Sequence, residues 1–351
     1  MSVIAAEYPR TQIRADRAIV LWLSLCAAMV FAMAVIGAIT RLTESGLSIT
    51  EWRPITGTLP PLNEAQWLRE FDLYRQTPEF RLEHSWMTLA DFKRIYFWEW
   101  LHRLWGRLIG LAFALPLAWF WLRGHLTDRT LRLRLLGLLA LGGAQGALGW
   151  FMVMSGLVDR PSVSHYRLAA HLGLALLIYA LLVAQILSLV RPRAERVPGG
   201  LRRHATLALV LLAATIAWGA FVAGLDAGLV YNTFPLMNGA WMPEELWAMA
   251  PAWLNLFENH GAVQFAHRVL ALATGAAVLA LAFRGLGRGI GGLPRTALMA
   301  AAVAVLLQIG LGVATLLAQV PVALGAAHQA GAILLLTALV WARWELRSSA
   351  G

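Results

Sequence analysis

The chain has 351 residues, 59% of them hydrophobic and only 14% charged, and a formal net charge of +10. Runs of roughly 20 apolar residues, enough to cross a ~30 Å hydrocarbon core, recur along it, which excludes an ordinary water-soluble domain. The basicity would raise nucleic acid as a partner, but the arginines are sorted by loop, which excludes that reading too, and the lone Cys26 excludes an intrachain disulfide or thiolate cluster.

Eight spans are predicted, near 18–40, 95–122, 134–155, 164–190, 204–224, 260–284, 294–318 and 321–344. The first lacks a small-residue cleavage site at its end and reads as a retained helix. Arginines cluster in the N-terminal tail (Arg10, Arg14, Arg17), in 123–134, 191–203 and 284–295, and at Arg343 and Arg347. The positive-inside rule therefore puts both termini and these loops in the cytoplasm.

In the long outer loop 41–94 the arginines are balanced by acids, among them Glu44, Glu51, Glu70, Glu79 and Asp91, and the outer loop 225–259 has no Lys or Arg. Within 62–75 the spacing of Leu62, Trp67, Leu68, Phe71 and Tyr74 predicts an amphipathic helix lying on the membrane surface. Thr88 and Asp91 match a capping box that opens a short helix running into the second span. Several of the 16 tryptophans (Trp86, Trp98, Trp150, Trp241) fall near span ends, as in an interfacial belt.

The two halves are copies. Gly37-Ala38, Gly46-Leu47 and Gly57 recur as Gly219-Ala220, Gly228-Leu229 and Gly239 at one constant spacing, and Glu99-x-x-His102-Arg103 recurs as Gln264-x-x-His267-Arg268. Gln145 and Gly149 recur as Gln308 and Gly312, and His171 as His328. Four helices per copy is an even number, so the repeats are parallel. The expected fold class is an all-α membrane protein of eight transmembrane helices, arranged as two tandem four-helix bundles related by a pseudo-two-fold axis. Residues 1–195 would form the N-terminal unit and 196–351 the C-terminal unit.

His102, His171, His267 and His328 each sit about two turns inside an even-numbered span, roughly 11 Å deep at 1.5 Å per residue. Polar side chains at that depth are costly and are functional candidates. Zinc would want a tighter His/Cys/carboxylate cluster. A di-iron site would want a second Glu-x-x-His and further glutamates, whereas the copy of Glu99 is Gln264. Haem held between two imidazoles needs only a pair of histidines on facing helices, and the four make two such pairs.

Arg103, Arg107 and Arg268 are candidate contacts for haem propionates, by bidentate pairing, or else snorkel to headgroups. Gly106, Gly110, Gly146, Gly149, Gly310 and Gly312 either leave room for a macrocycle or mark helix contacts. His84, His125, His165, His204 and His260 are expected to be solvated or interfacial. Glu99 shares a helix face with His102. Unpartnered and buried it would serve as an acid or base; paired with Arg103 it would be structural.

Taken together, Gly37-Ala-Ile-Thr-Arg41-Leu-Thr-Glu-Ser-Gly46-Leu, Glu99-x-x-His102-Arg103, His171, His267-Arg268 and His328-Gln329 resemble the haem A synthase family along essentially the whole chain. The long first loop, with Trp52-Arg53-Pro54-Ile55-Thr56-Gly57 and no cysteine pair, is similar to the branch shared by proteobacteria and mitochondria.

The resemblance implies an enzyme of the bacterial inner membrane that oxidises the C8 methyl of haem O to a formyl group, giving haem A for terminal oxidases. It implies a haem b cofactor on His267 and His328, substrate haem O on His102 and His171, and catalysis by Glu99. It further implies haem O synthase, oxidase assembly factors and membrane lipid as partners, no nucleic acid, and leaves a homo-oligomer open. A di-haem b-type electron carrier and a haem chaperone explain the histidines as well but give Glu99 no task.

Overall fold

Eight long apolar helices cover the predicted spans to within a few residues. The computed structural model describes residues 10–53, 56–157, 161–191 and 200–347, and among these it holds no strand beyond one isolated bridge, Met237 to Ala240. The division expected at 195/196, Pro54 and Ile55 of the first loop, and the side chains of Arg10 and Arg14 lie outside the described residues. The protein is an all-α integral membrane protein.

The spans are α1 (Arg10–Leu42), α4 (Leu89–Leu122), α5 (Arg129–Met154), α6 (His165–Val190), α7 (Leu201–Gly224), α9 (His260–Leu286), α10 (Gly292–Leu317) and α11 (Val322–Glu345). Short helices α2 (Glu64–Tyr74), α3 (Pro78–Leu82) and α8 (Asn255–Glu258) lie in the two long loops, on what is called here the loop face. Helix α1 packs on α4 and α5 on α6; in the second half α7 packs on α9 and α10 on α11. The halves meet through α1 against α11, α6 against α7, and α6 against α11. Ile333 of α11 is buried within the main apolar cluster of the first half, among Trp22, Leu135 and Leu182, so the two halves share a core.

Polar backbone groups freed inside the membrane must find partners, and Pro116 shows how. Proline lacks an N–H and strips the carbonyl four residues earlier of its helical partner. That carbonyl, on Ala112, instead accepts the Trp22 indole N–H at 2.8 Å. Helix α4 thereby continues through Pro116, tied to α1.

The loop face departs from expectation in three ways. The Thr88–Asp91 capping box is present, with Asp91 N–H donating to Thr88 Oγ1 at 3.4 Å and Thr88 N–H to Asp91 Oδ2 at 3.1 Å, but it opens one continuous 34-residue helix rather than a separate short one. Helix α2, capped by Asn63, does not simply lie on lipid: Phe71 and Tyr74 are buried, packed with Phe80, Phe92 and Tyr96. Leu68, and Leu62 just before the helix, are exposed. The five-residue α3, started by Thr77 and Pro78, is too short for periodicity to reveal.

Phe92 is the hub of this aromatic cluster, with ring centroids of Phe71, Tyr74, Tyr96 and Trp67 at 5.1, 5.3, 5.7 and 6.4 Å. Phe92→Ala is expected to cost about 3–5 kcal/mol and to loosen the 43–88 segment, read as faster protease cleavage there. Unchanged cleavage would mean that the segment is held by other contacts.

Candidate functional site

Each of the four matched histidines sits against a glycine of a neighbouring helix. A Cβ built on Gly37 would stand 3.1 Å from Cε1 of His102, and on Gly149, Gly219 or Gly312 it would stand 2.9 Å from Cε1 of His171, His267 or His328. Only glycine lets the imidazole come this close to the next backbone. The pattern is the same in both halves, α1–α4 like α7–α9 and α5–α6 like α10–α11. Gly110, Gly146 and Gly310 have nothing within contact range of a built Cβ, and Gly106 meets only Met33. Counted from their helix starts, His171, His267 and His328 are about two turns in. His102 is almost four turns in, because α4 begins earlier than its counterparts.

The rings are oriented by hydrogen bonds to their other polar atoms. Gln145 donates from Nε2 to the His171 carbonyl at 3.0 Å and lies 3.1 Å from His171 Nδ1; Gln308 does the same at His328, at 3.0 and 3.2 Å. His267 Nδ1 faces the Thr215 carbonyl at 3.0 Å. That carbonyl fixes the proton on Nδ1 and leaves Nε2 as a metal ligand. His102 Nδ1, by contrast, is buried with no partner among the described residues.

The rings of His267 and His328 have centroids 6.5 Å apart and planes at 85°. Two imidazoles on one metal, at metal–nitrogen distances of about 2.0–2.1 Å, give centroids roughly 6 Å apart, so this pair has the spacing of a bis-imidazole site. His102 and His171 lie within electrostatic range of each other. Among the described residues no three or more His, Cys, Asp or Glu side chains converge as a metal cluster, so a zinc or di-iron carboxylate centre lacks its ligands. Among the described residues, Nε and Nη1 of Arg268, which follows His267, are buried without partners, as is Nε2 of Gln329, which follows His328. Orphaned donors next to paired imidazoles fit a ligand that carries carboxylates along with its metal, as haem does.

The break in symmetry is built into the backbone. Glu99 is buried and accepts three donors: Ser48 Oγ at 2.7 Å, the Ile49 N–H at 2.7 Å, and Arg103 Nη2 at 2.5 Å. Arg103 Nη2 also reaches the Ile49 carbonyl at 2.9 Å. In the second half Arg268 Nη2 reaches the Tyr231 carbonyl at 2.8 Å, and Tyr231 stands where the repeat places Ile49. Gln264 there donates, from Nε2 to the carbonyls of Ala227 and Tyr231 at 2.9 and 3.2 Å. Val230 replaces Ser48 and takes away the hydroxyl donor. One half presents a carboxylate with its donors, the other a neutral amide. The structure thus selects the Arg103-paired form of Glu99 over an unpartnered carboxylate.

Ile49 and Arg103, the partners of Glu99, border a cavity of about 300 Å³ whose lining also includes Arg53, Arg69, Arg107, Glu51 and Glu70. Arg107 Nη2 is fixed on the Arg53 carbonyl at 3.1 Å. Arg53 and Arg69 were not visible as site residues, because only the folding of 49–70 over α4 brings them there. His84 and His165 are buried rather than solvated. His84 sits between Glu44 and Tyr74, while His165 packs on Tyr166 and Phe221. His125 and His260 are exposed as expected, and His204 contacts Arg284 at 3.1 Å.

Over residues 20–340 the chain matches the COX15-CtaA family model, described as cytochrome oxidase assembly protein. It is 56% identical over 349 residues to a haem A synthase of Rhodospirillum centenum, covering 99% of this chain and 93% of that protein. It is 50% identical over 325 residues to one of Parvibaculum lavamentivorans, with 92% and 93% covered. Against haem A synthase COX15 of Bos taurus the identity is 47% over 348 residues, with 95% and 83% covered.

Gly219→Ala and Gly312→Ala force a methyl against an imidazole, so each is expected to displace its ring and abolish the low-spin, two-histidine absorption spectrum of haem added to the protein. Gly142→Ala, with nothing within 4 Å of a built Cβ, should leave that spectrum intact. Equal spectra from all three would remove the glycine contacts from ligand placement.

Proposed function

The chain belongs to the COX15-CtaA family of cytochrome oxidase assembly proteins, and we propose on that footing that it acts as a haem A synthase, an oxidoreductase converting the C8 methyl of haem O to the formyl of haem A. The single observation that carries the reaction to one half of the molecule is the carboxylate at Glu99 where the copy has the amide of Gln264, each with its own matched set of partners.

The substrate haem O belongs between His102 and His171, beneath Glu99, and the resident haem b between His267 and His328. Two features support that division. His267 is locked by the Thr215 carbonyl, as suits a ligand that never lets go, whereas His102 lacks such an anchor on Nδ1 and can release a substrate. Arg103 and Arg107 line the loop-face cavity, and Arg268 follows His267 at the second site; each is assigned to propionate carboxylates.

Taking a methyl to a formyl with the oxygen of water removes four electrons and four protons, in two oxidations that pass through hydroxymethyl and a gem-diol that loses water. Bound at its two histidines, haem b supplies a one-electron route for those electrons toward an external acceptor. Removing electrons from the substrate leaves positive charge on the carbon that water attacks. Glu99 is held rigid by its three donors, so its carboxyl group meets that charge without reorganising, the most effective form of electrostatic catalysis. Ser48 and Arg103 keep it pointed there.

The two tandem units, divided near 195/196, then correspond to a substrate half and a cofactor half. The loop face is assigned to the outer side of a bacterial inner membrane and both termini to the cytoplasm, where haem O synthase and oxidase assembly factors are the expected partners, in a lipid setting compatible with self-association.

Glu99→Gln installs the residue of the inactive half. It is expected to retain haem b while haem A formation falls roughly 10²–10³-fold, with haem O or its hydroxymethyl product accumulating in extracted haems. Full haem A yield from this variant would take Glu99 out of the reaction. For sidedness, alkaline phosphatase fused after the C-terminus should be inactive in cells and active when inserted in 225–259; the reverse pattern would invert the orientation.

A further inference from the structure

The segment that covers Glu99 contains a second polar chain that the reaction as described does not use. Tyr74 of α2, Glu79 of α3, His84 and Glu44 form one unbroken line of hydrogen bonds. Tyr74 Oη is 3.0 Å from Glu79 Oε2 and 2.8 Å from His84 Nδ1, and His84 Nε2 is 2.9 Å from Glu44 Oε2. Tyr74, Glu79 and His84 are 0%, 6% and 6% exposed, whereas the Glu44 side chain is 55% exposed. Three buried titratable groups therefore end on one that meets water. A purely apolar plug would have covered Glu99 at lower cost, since burying ionisable groups is expensive.

The inner end of the line faces the reaction site, with Glu99 at electrostatic range of both Glu79 and Tyr74. The same turn that carries Glu44 carries Ser48, which donates to Glu99. Glu44 adopts a left-handed backbone, with φ of 51°, unusual for a non-glycine residue, and this places its side chain under His84. The second half keeps that backbone feature and drops the chemistry. Asp226, at the repeat position of Glu44 and also at φ 51°, accepts from Arg41 Nη2 through both carboxylate oxygens at 2.8 and 2.9 Å, with no histidine bonded to it among the described residues. The hydrogen-bonded line lies in the half that has the carboxylate.

We propose that Glu79, Tyr74, His84 and Glu44 form the route by which protons released at the Glu99 site reach the outer aqueous face. This rests on the haem A synthase reading, in which each two-electron oxidation sets free two protons beneath the turn that carries Ser48 and Ile49.

The transfer balances within the line. Glu79 gives its carboxyl proton to Tyr74 Oη as Tyr74 gives its own to His84 Nδ1. His84 passes the proton on Nε2 to Glu44, which releases it to water. One O–H bond is lost at Glu79 and one is gained at Glu44 and then given up to water. A proton arriving from the Glu99 side resets Glu79, and His84, left protonated on Nδ1, returns its own proton to Nε2 before the next transfer. The groups are poised for this. Burial pushes the Glu79 carboxyl up to about 8, opposed by its contacts with Tyr74 and His84 and reinforced by the charges of Glu99 and Glu44. It therefore carries a proton at neutral pH. Burial also drives the Tyr74 phenol well above its usual range, so it acts as a bridge and not as an ion. The bond to Glu44, with the charges of Glu79, Glu44 and Glu83, raises His84 against its burial. The bond from His84 in turn holds Glu44 low, ready to hand its proton to water.

The test compares wild type with Glu79→Gln and Tyr74→Phe, purified with haem b bound and supplied with haem O. Both variants should form haem A about tenfold more slowly or worse, with a larger slowing in D₂O, while haem b absorption and melting temperature stay at wild-type values. Wild-type rates in both variants overturn the proposal. So does a slowing matched by lost haem b or lowered melting, because that is a structural role. If wild type itself converts no haem O, the functional reading fails, and infrared spectroscopy decides the relay alone. A carboxylic-acid band should disappear as pH rises through about 8 and be missing from Glu79→Gln. Its absence from wild type overturns the proposal.

Discussion

A carboxylate deep in a membrane helix is tolerable only where donors surround it, and the arrangement of the loop face follows from satisfying Glu99. Two of its three donors, Ser48 Oγ and the Ile49 N–H, come from the turn after α1, so that turn must fold inward over α4. The third, Arg103, ties the same turn from the other side through the Ile49 carbonyl. Once the turn is drawn in, the chain behind it has to lie across the top of α4. The aromatic cluster around Phe92 seals α2 and α3 in that place, and Arg53 is carried to the cavity rim beside Arg103 and Arg107.

Duplication supplies the frame and divergence the function. The four glycine–imidazole contacts, the two glutamines that steer His171 and His328, and the arginine held on a backbone carbonyl are common to both halves. They set imidazoles in clefts, which is all that a pair of haem sites requires. The differences are few and consistent in direction: Glu99 for Gln264, Ser48 for Val230, and a histidine rather than Arg41 as the neighbour of the turn acid. Each adds ionisable or protic groups to the first half or neutralises them in the second. A bundle that holds two haems becomes, on this reading, one that holds one haem and modifies another.

Burial in a shared core makes the halves interdependent. Ile333 of α11 packs among residues of α1, α5 and α6, and Tyr179 of α6 bonds Thr337 of α11 at 2.9 Å. At the loop face, the Arg41–Asp226 pair joins the two repeat turns. The redox chemistry assigned to one half and the methyl oxidation assigned to the other are thus set in a single packed unit.

Much of this was legible from the residues in order. Span positions follow from the bilayer's thickness, which demands an uninterrupted apolar run whatever the tertiary packing, and the repeat exposed His102, His171, His267, His328 and the Glu99/Gln264 break without coordinates. The sequence left open whether Glu99 stands alone or pairs with Arg103, because that depends on a turn some fifty positions away in the chain. It hid Arg53, Arg69 and the line from Glu79 to Glu44, and it made His84 look solvated, because a polar residue in a hydrophilic loop has the same local signature whether the loop floats or folds down. Periodicity reports which face of a helix is apolar; only tertiary structure decides which loop covers its end, and here that covering turn determines the state of the carboxylate.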